Sequence, residues 1–170
     1  MNTKFFAMAV VSAFTLSACG TAHIHDEHLL ENHQNTKYAS VNVRCDDEGA
    51  IFPHSNQKLE NYIRTYLQQE KISLGDDLLI HCNFVNFRRG SRAARYFGGI
   101  NGSFNGKGES DLQVELIDAE NNKVDEFRIK SLLMFGIFGG NSENMIKNSA
   151  RKIVNRVKPM ITNSPQTTTE

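Results

Sequence analysis

Three sets of residues in this 170-residue chain have types and spacings that could do chemistry. His23, His25, His28 and His33 crowd together with Asp26 and Glu27 between them. Neutral imidazoles at such spacing are natural ligands for zinc or copper. Cys19, Cys45 and Cys82 are the three thiols, each a possible nucleophile, ligand or bridge partner. The third set is RYFGGINGSFNGKG, residues 95–108, which holds five glycines and Lys107 and follows Arg88, Arg89 and Arg92. A glycine-rich loop with a lysine could cradle phosphate.

The phosphate reading fails at particular positions. The pattern G-x-x-x-x-G-K-[ST] needs a glycine where Asn101 stands and a hydroxyl where Gly108 stands. Gly98, Gly102 and Gly106 have the four-residue spacing of a membrane helix zipper, but Asn101, Ser103, Asn105 and Lys107 interrupt the apolar run such a zipper needs. A loop joining two strands is the reading that survives. The histidines have no cysteine or fixed scaffold beside them, so a hydrophilic tether is favoured over a metal site. Arg88, Arg89, Arg92 and Arg95 lie beside Phe87, Tyr96 and Phe97 and form a possible partner surface; the competing reading is a solvated edge paired to Glu109 or Asp111. No H-E-x-x-H spacing, paired-acid signature or Ser–His–Asp set is legible, so neither catalysis nor a cofactor is expected.

The elements that would carry these residues follow from periodicity. YASVNVRC, residues 38–45, alternates as a strand with Val41, Val43 and Cys45 on one face. Leu59, Tyr62, Ile63, Tyr66 and Leu67 then fall on one helical stripe, with Ser55 as a candidate N-cap. After the turn at Gly75–Asp77, Leu78, Ile80, Cys82 and Phe84 alternate as a strand, leaving His81 on its opposite face. Leu112, Val114 and Leu116, a turn at Asp118–Asn122, and Phe127 with Ile129 make a hairpin. Met145, Ile146, Ala150, Ile153, Val154 and Val157 stripe a final helix that Pro159 closes. The run LLMFGIFGG, residues 132–140, is the most apolar stretch after the N-terminus, either a strand end folded under the last helix or an exposed patch. The predicted fold is α+β, a two-layer sandwich in which a four-stranded mixed sheet carries two amphipathic helices on one face. Its order is β-α-β-β-β-α.

The N-terminus supplies an address. Lys4 precedes an apolar run from Phe5 to Leu16, too short to span a bilayer but suited to a secretory signal. Leu16-Ser17-Ala18-Cys19 resembles the lipobox of bacterial lipoproteins. That resemblance implies cleavage before Cys19, a diacylglycerol on its thiol and an acyl chain on the new amino terminus. Gly20 is not the aspartate that commonly retains such proteins in the inner membrane, which favours the outer membrane with the domain facing the periplasm. Two or more acyl chains hold a protein stably to a membrane. The expected parts are a signal peptide over 1–18, a lipidated histidine-rich tether over 19–37, an α/β domain over 38–160 and a disordered tail over 161–170.

Loss of Lys4 with the signal leaves 18 basic against 19 acidic residues, a balance that argues against a nucleic-acid binder. The periplasm also lacks a nucleotide pool. In that oxidising compartment Cys45 and Cys82, both in strand-like segments, are expected to pair.

The stretch from FRRGSRAARYFGG through GKGESDLQVELIDAENNKV resembles a family of bacterial lipoproteins known as a domain of unknown function. The signature is Leu112, Val114, Leu116 or Ile117, and Asp118, with Asn121-Asn122 in place of the family's usual Thr-Gly turn. The element order also looks like the periplasmic domain of the curli-secretion lipoprotein. These resemblances imply an envelope location and an α/β fold more than a function. The function expected here is a non-catalytic envelope module that docks on an envelope protein or self-associates, as an accessory of assembly or secretion. The alternative is a lipoprotein that binds lipid or a metal ion.

Overall fold

The computed structural model describes residues 21–29, 36–45, 52–89, 108–133 and 142–162. The strands are β1 (Thr21–Leu29), β2 (Val41–Cys45), β3 (Leu78–Arg88), β4 (Gly108–Asp118) and β5 (Lys123–Leu133); the helices are α1 (Pro53–Gln69) and α2 (Ser142–Val157). A 3-10 turn, Lys158–Met160, follows α2. From β2 onward the order is β-α-β-β-β-α, as the periodicity predicts, and the sheet runs β1-β5-β4-β3-β2. The β2–β3 pair is parallel across the α1 crossover, and the other neighbours are antiparallel.

Both helical stripes pack on one face. Leu59, Ile63 and Leu67 of α1 and Met145, Ile146, Ala150, Ile153, Val154 and Val157 of α2 are buried against the inward residues of the sheet. Those are Val41, Val43 and Cys45, then Leu78, Ile80, Cys82 and Phe84, then Leu112, Val114 and Leu116, then Phe127 and Ile129. Each fully buried large apolar side chain contributes about 1.5–3 kcal/mol, so the stripe sets the fold more than helix propensity does. Tyr62 and Tyr66, on the same stripe, are half-buried at its margin.

Two local expectations change. α1 starts earlier than Ser55: Phe52 is its N-cap and Pro53 its first residue, where the fixed φ of proline suits a helix start. Ser55 is instead buried inside the first turn. Residues 21–29, read as part of an irregular tether, form β1 against β5. Their sequence offers Ile24 as a core-facing residue, half-buried against the core, and local pattern alone could not reveal the pairing edge that β5 presents. At the other terminus Ile161 is buried and bridges Tyr38, and Thr162 N donates to Tyr38 O at 2.8 Å, so order runs slightly past the expected boundary. Asn121 takes a positive φ of 66°, as the asparagine turn predicts.

Cys45 and Cys82 face each other in the β2–β3 register, with Cα atoms 4.5 Å apart, and form a disulfide.

Past this bridge β3 continues without β2 beside it, and the first turn of α1 takes over. Asn56, fully buried, accepts from Phe84 N at 3.1 Å through Oδ1 and donates to Asn83 Oδ1 at 3.1 Å through Nδ2. Replacing Asn56 by alanine strands a buried backbone N–H. The expected loss is about 1–3 kcal/mol, read as a lower urea midpoint at unchanged slope.

Candidate functional site

The outer backbone edge of β2 is occupied. Val41 N donates to Ser73 O at 3.0 Å, and Gly75 N donates to Val41 O at 3.1 Å. Gly75 lies so close to Ser40 that a Cβ there would sit 2.7 Å from the Ser40 Cβ. Val43 N donates to Asn42 Oδ1 at 2.8 Å, Arg64 donates to Val43 O, and Cys45 N donates to Glu60 Oε2 at 3.1 Å. Glu60 and Arg64 are themselves paired at 3.0 Å one helical turn apart. Strand addition at this edge would have to displace all of these partners.

The sheet face turned away from the helices is polar. Glu115 and Glu126 stand directly opposite each other across β4 and β5. Two carboxylates in that register repel, and Lys123 answers both, at 2.6 Å and 2.9 Å. Its hydrogen bonds to Glu115 and then Glu126 raise its pKa above the usual lysine range. Gln113 donates to Glu126 at 3.0 Å, and His81 Nδ1 lies 3.6 Å from Glu115. His81 is thus part of a surface network on the face predicted for it.

On the opposite side α1 and α2 are clasped. Tyr62 donates to Glu143 at 2.6 Å, Lys147 reaches Glu143 at 2.8 Å, and the Lys147 ammonium lies 5.2 Å from the centre of the Tyr62 ring. The hydrogen bonds from Lys147 and then Tyr62 hold the Glu143 carboxyl below its ordinary range. The same carboxylate raises both Lys147 and Tyr62. A depressed carboxyl stabilises the fold above its unfolded pKa and loses that contribution as pH falls through the folded value. The raised lysine and tyrosine act in the opposite sense, losing theirs as pH rises beyond ~10. The Tm difference between the native chain and Glu143→Gln is therefore expected to be largest from about pH 5 to 10 and to close at both extremes. A gap that stays constant with pH would contradict the clasp.

The predicted site residues separate. Arg88 and Arg89 are exposed at the end of β3, with Arg88 opposite Glu109 in register. Arg89 also borders an open groove of about 290 Å³ with Phe52, Pro53, His54, Ser55 and Phe87. Arg92 and Arg95 lie outside the described residues, as do Cys19, His33 and most of the 132–140 run. His23, His25 and His28 have Lys130, Arg128 and Glu126 as their backbone partners in β5, with a register shift between His25 and His28. Among the described residues no group of three or more His, Cys, Asp or Glu is arranged to hold a metal ion, and no helix is long and apolar enough to cross a membrane.

One buried charge escaped the sequence reading. Asp125 is fully buried, and its Oδ2 accepts from Arg156 Nε at 3.0 Å. The alternation of Phe127 and Ile129 already gave Asp125 inward parity, and that parity was the available sign.

No protein-family model matches the chain, and no curated protein matches it. Two solved structures of the PelC dodecamer from Paraburkholderia phytofirmans are similar at 12% identity and a TM-score of 0.43. One, a leucine-to-methionine variant, aligns over 79% of this chain and 94% of its own; the other aligns over 85% and 99%. At that distance neither their assembly nor their role transfers to this chain.

Proposed function

We propose that the chain is a non-catalytic bacterial lipoprotein, anchored to the outer membrane through Cys19, whose α/β domain docks on other envelope proteins or on itself. The observation that carries the export half of this reading is the Cys45–Cys82 bridge. Disulfides persist in oxidising compartments, which is where a signal ending in Leu16-Ser17-Ala18-Cys19 would send the chain. The docking half is supported by a core filled with side chains from both layers. With the outer edge of β2 already hydrogen-bonded, a partner would use the polar sheet face, the helices or the β1 side.

The test is fractionation with metabolic labelling by a palmitate analogue. The native chain is expected to float with outer membranes and carry label, and Cys19→Ser to lose the label and leave that fraction. An unlabelled native chain, or a Cys19→Ser variant with unchanged label, would overturn the anchor.

A further inference from the structure

The strand registers place Arg88, Glu109, Leu132 and Thr21 side by side across β3, β4, β5 and β1 in one row at one end of the sheet. Thr21 is two residues after Cys19. Extended chain covers at most ~3.6 Å per residue, so two residues can put no more than roughly 7 Å between an anchor on Cys19 and a strand that is hydrogen-bonded into the sheet. A lipid on Cys19 would therefore have no spacer, and this end of the domain would be held against the membrane surface.

The Thr21 end carries groups that suit contact with a headgroup layer. At the Thr21 end Leu132 is 46% exposed, comparable with Leu74 at 43% at the far end. Arg88 and Arg89 are exposed there, beside the groove lined by Phe52, Pro53 and Phe87. Because α1 and α2 both run antiparallel to the strands before them, both helix N-termini, at Pro53 and Ser142, also point this way. Their dipoles add partial positive charge there, offset in part by Glu143 in the first turn of α2 and by Glu109 opposite Arg88. The far end mixes the acids of its turns, Asp76, Asp77, Asp118 and Glu120, with Lys37, Lys71, Lys123 and Lys158. The short tether, rather than a charge difference between the ends, is what decides which end meets the membrane.

We infer that the sheet stands end-on to the bilayer, with Arg88, Arg89 and Leu132 seated in the anionic headgroup layer of the membrane that holds Cys19. This rests on the lipid anchor proposed above. The polar sheet face and the helical face then both project sideways, free for protein partners.

The test uses the full lipidated chain in phosphatidylethanolamine–phosphatidylglycerol vesicles that contain a headgroup-quencher lipid. A fluorophore is placed on Leu132→Cys or on Glu120→Cys without reduction. The two positions lie roughly 30 Å apart along the strands, so several-fold stronger quenching is expected at 132. Adding Arg88→Glu and Arg89→Glu should reduce that quenching. Equal quenching at both positions, or stronger quenching at 120, on protein that is acylated and vesicle-bound would overturn the orientation and leave the anchor standing. Protein that lacks the acyl mass and does not float would overturn the anchor, and the orientation with it.

Discussion

Replacing Arg156 by alanine is expected to destabilise the domain by about 3–5 kcal/mol, the cost of leaving a buried charge without its partner. Asp125 has no exposed surface, and its Oδ1 has no hydrogen-bond partner among the described residues, so the Arg156 Nε contact at 3.0 Å to Oδ2 carries most of its compensation. The guanidinium also lies 5.8 Å from the centre of the Phe127 ring, which ties the last turns of α2 to β5. Desolvation works against such a pair as well as for it. The double variant Asp125→Leu/Arg156→Leu should consequently recover most of the loss, since apolar replacement of both partners is often close to neutral. Urea titrations of both single variants and the double give the coupling energy directly. A loss below about 1 kcal/mol for Arg156→Ala would mean that water reaches Asp125.

Removing the Cys45–Cys82 bridge is the second large effect expected. The two cysteines are 37 residues apart in sequence, and the closed loop contains the whole of α1. Loop-closure entropy for that length corresponds to about 4 kcal/mol at 25 °C, acting mainly on the unfolded chain. Cys45→Ala/Cys82→Ala avoids stray thiols and buried hydroxyls, and should lower stability by roughly that amount while the fold persists. Glu60 and Arg64 would still hold the free edge of β2. An unchanged urea midpoint in the double variant would show that the bridge does not constrain the unfolded state.

Periodicity made the fold legible wherever one face of an element is buried. The stripes on α1 and α2 and the alternation in β3, β4 and β5 all point to the face they occupy. What remained hidden depends on contacts between distant residues. β1 has too few apolar residues to announce itself, and it exists because β5 leaves an edge to pair. Asn56 and the Glu60–Arg64 pair are ordinary polar residues of a helix until the short length of β2 leaves nearby backbone groups to satisfy. Asp125 was legible in parity, yet its partner lies 31 residues away on another element. Of the candidate site residues, Cys45 and Cys82 come together, whereas His23, His25 and His28 are spread along an edge strand.

The anchored-lipoprotein reading stands most directly on the chemical state of Cys19. Intact mass spectrometry of the chain purified from bacterial membranes, without reduction, measures it. The expected product is a mature chain that begins at Cys19, carries a diacylglycerol and an acyl chain, and is lighter by the two hydrogens of the Cys45–Cys82 bridge. A chain that still begins at Met1, or one cut elsewhere with an unmodified Cys19 thiol, would contradict it.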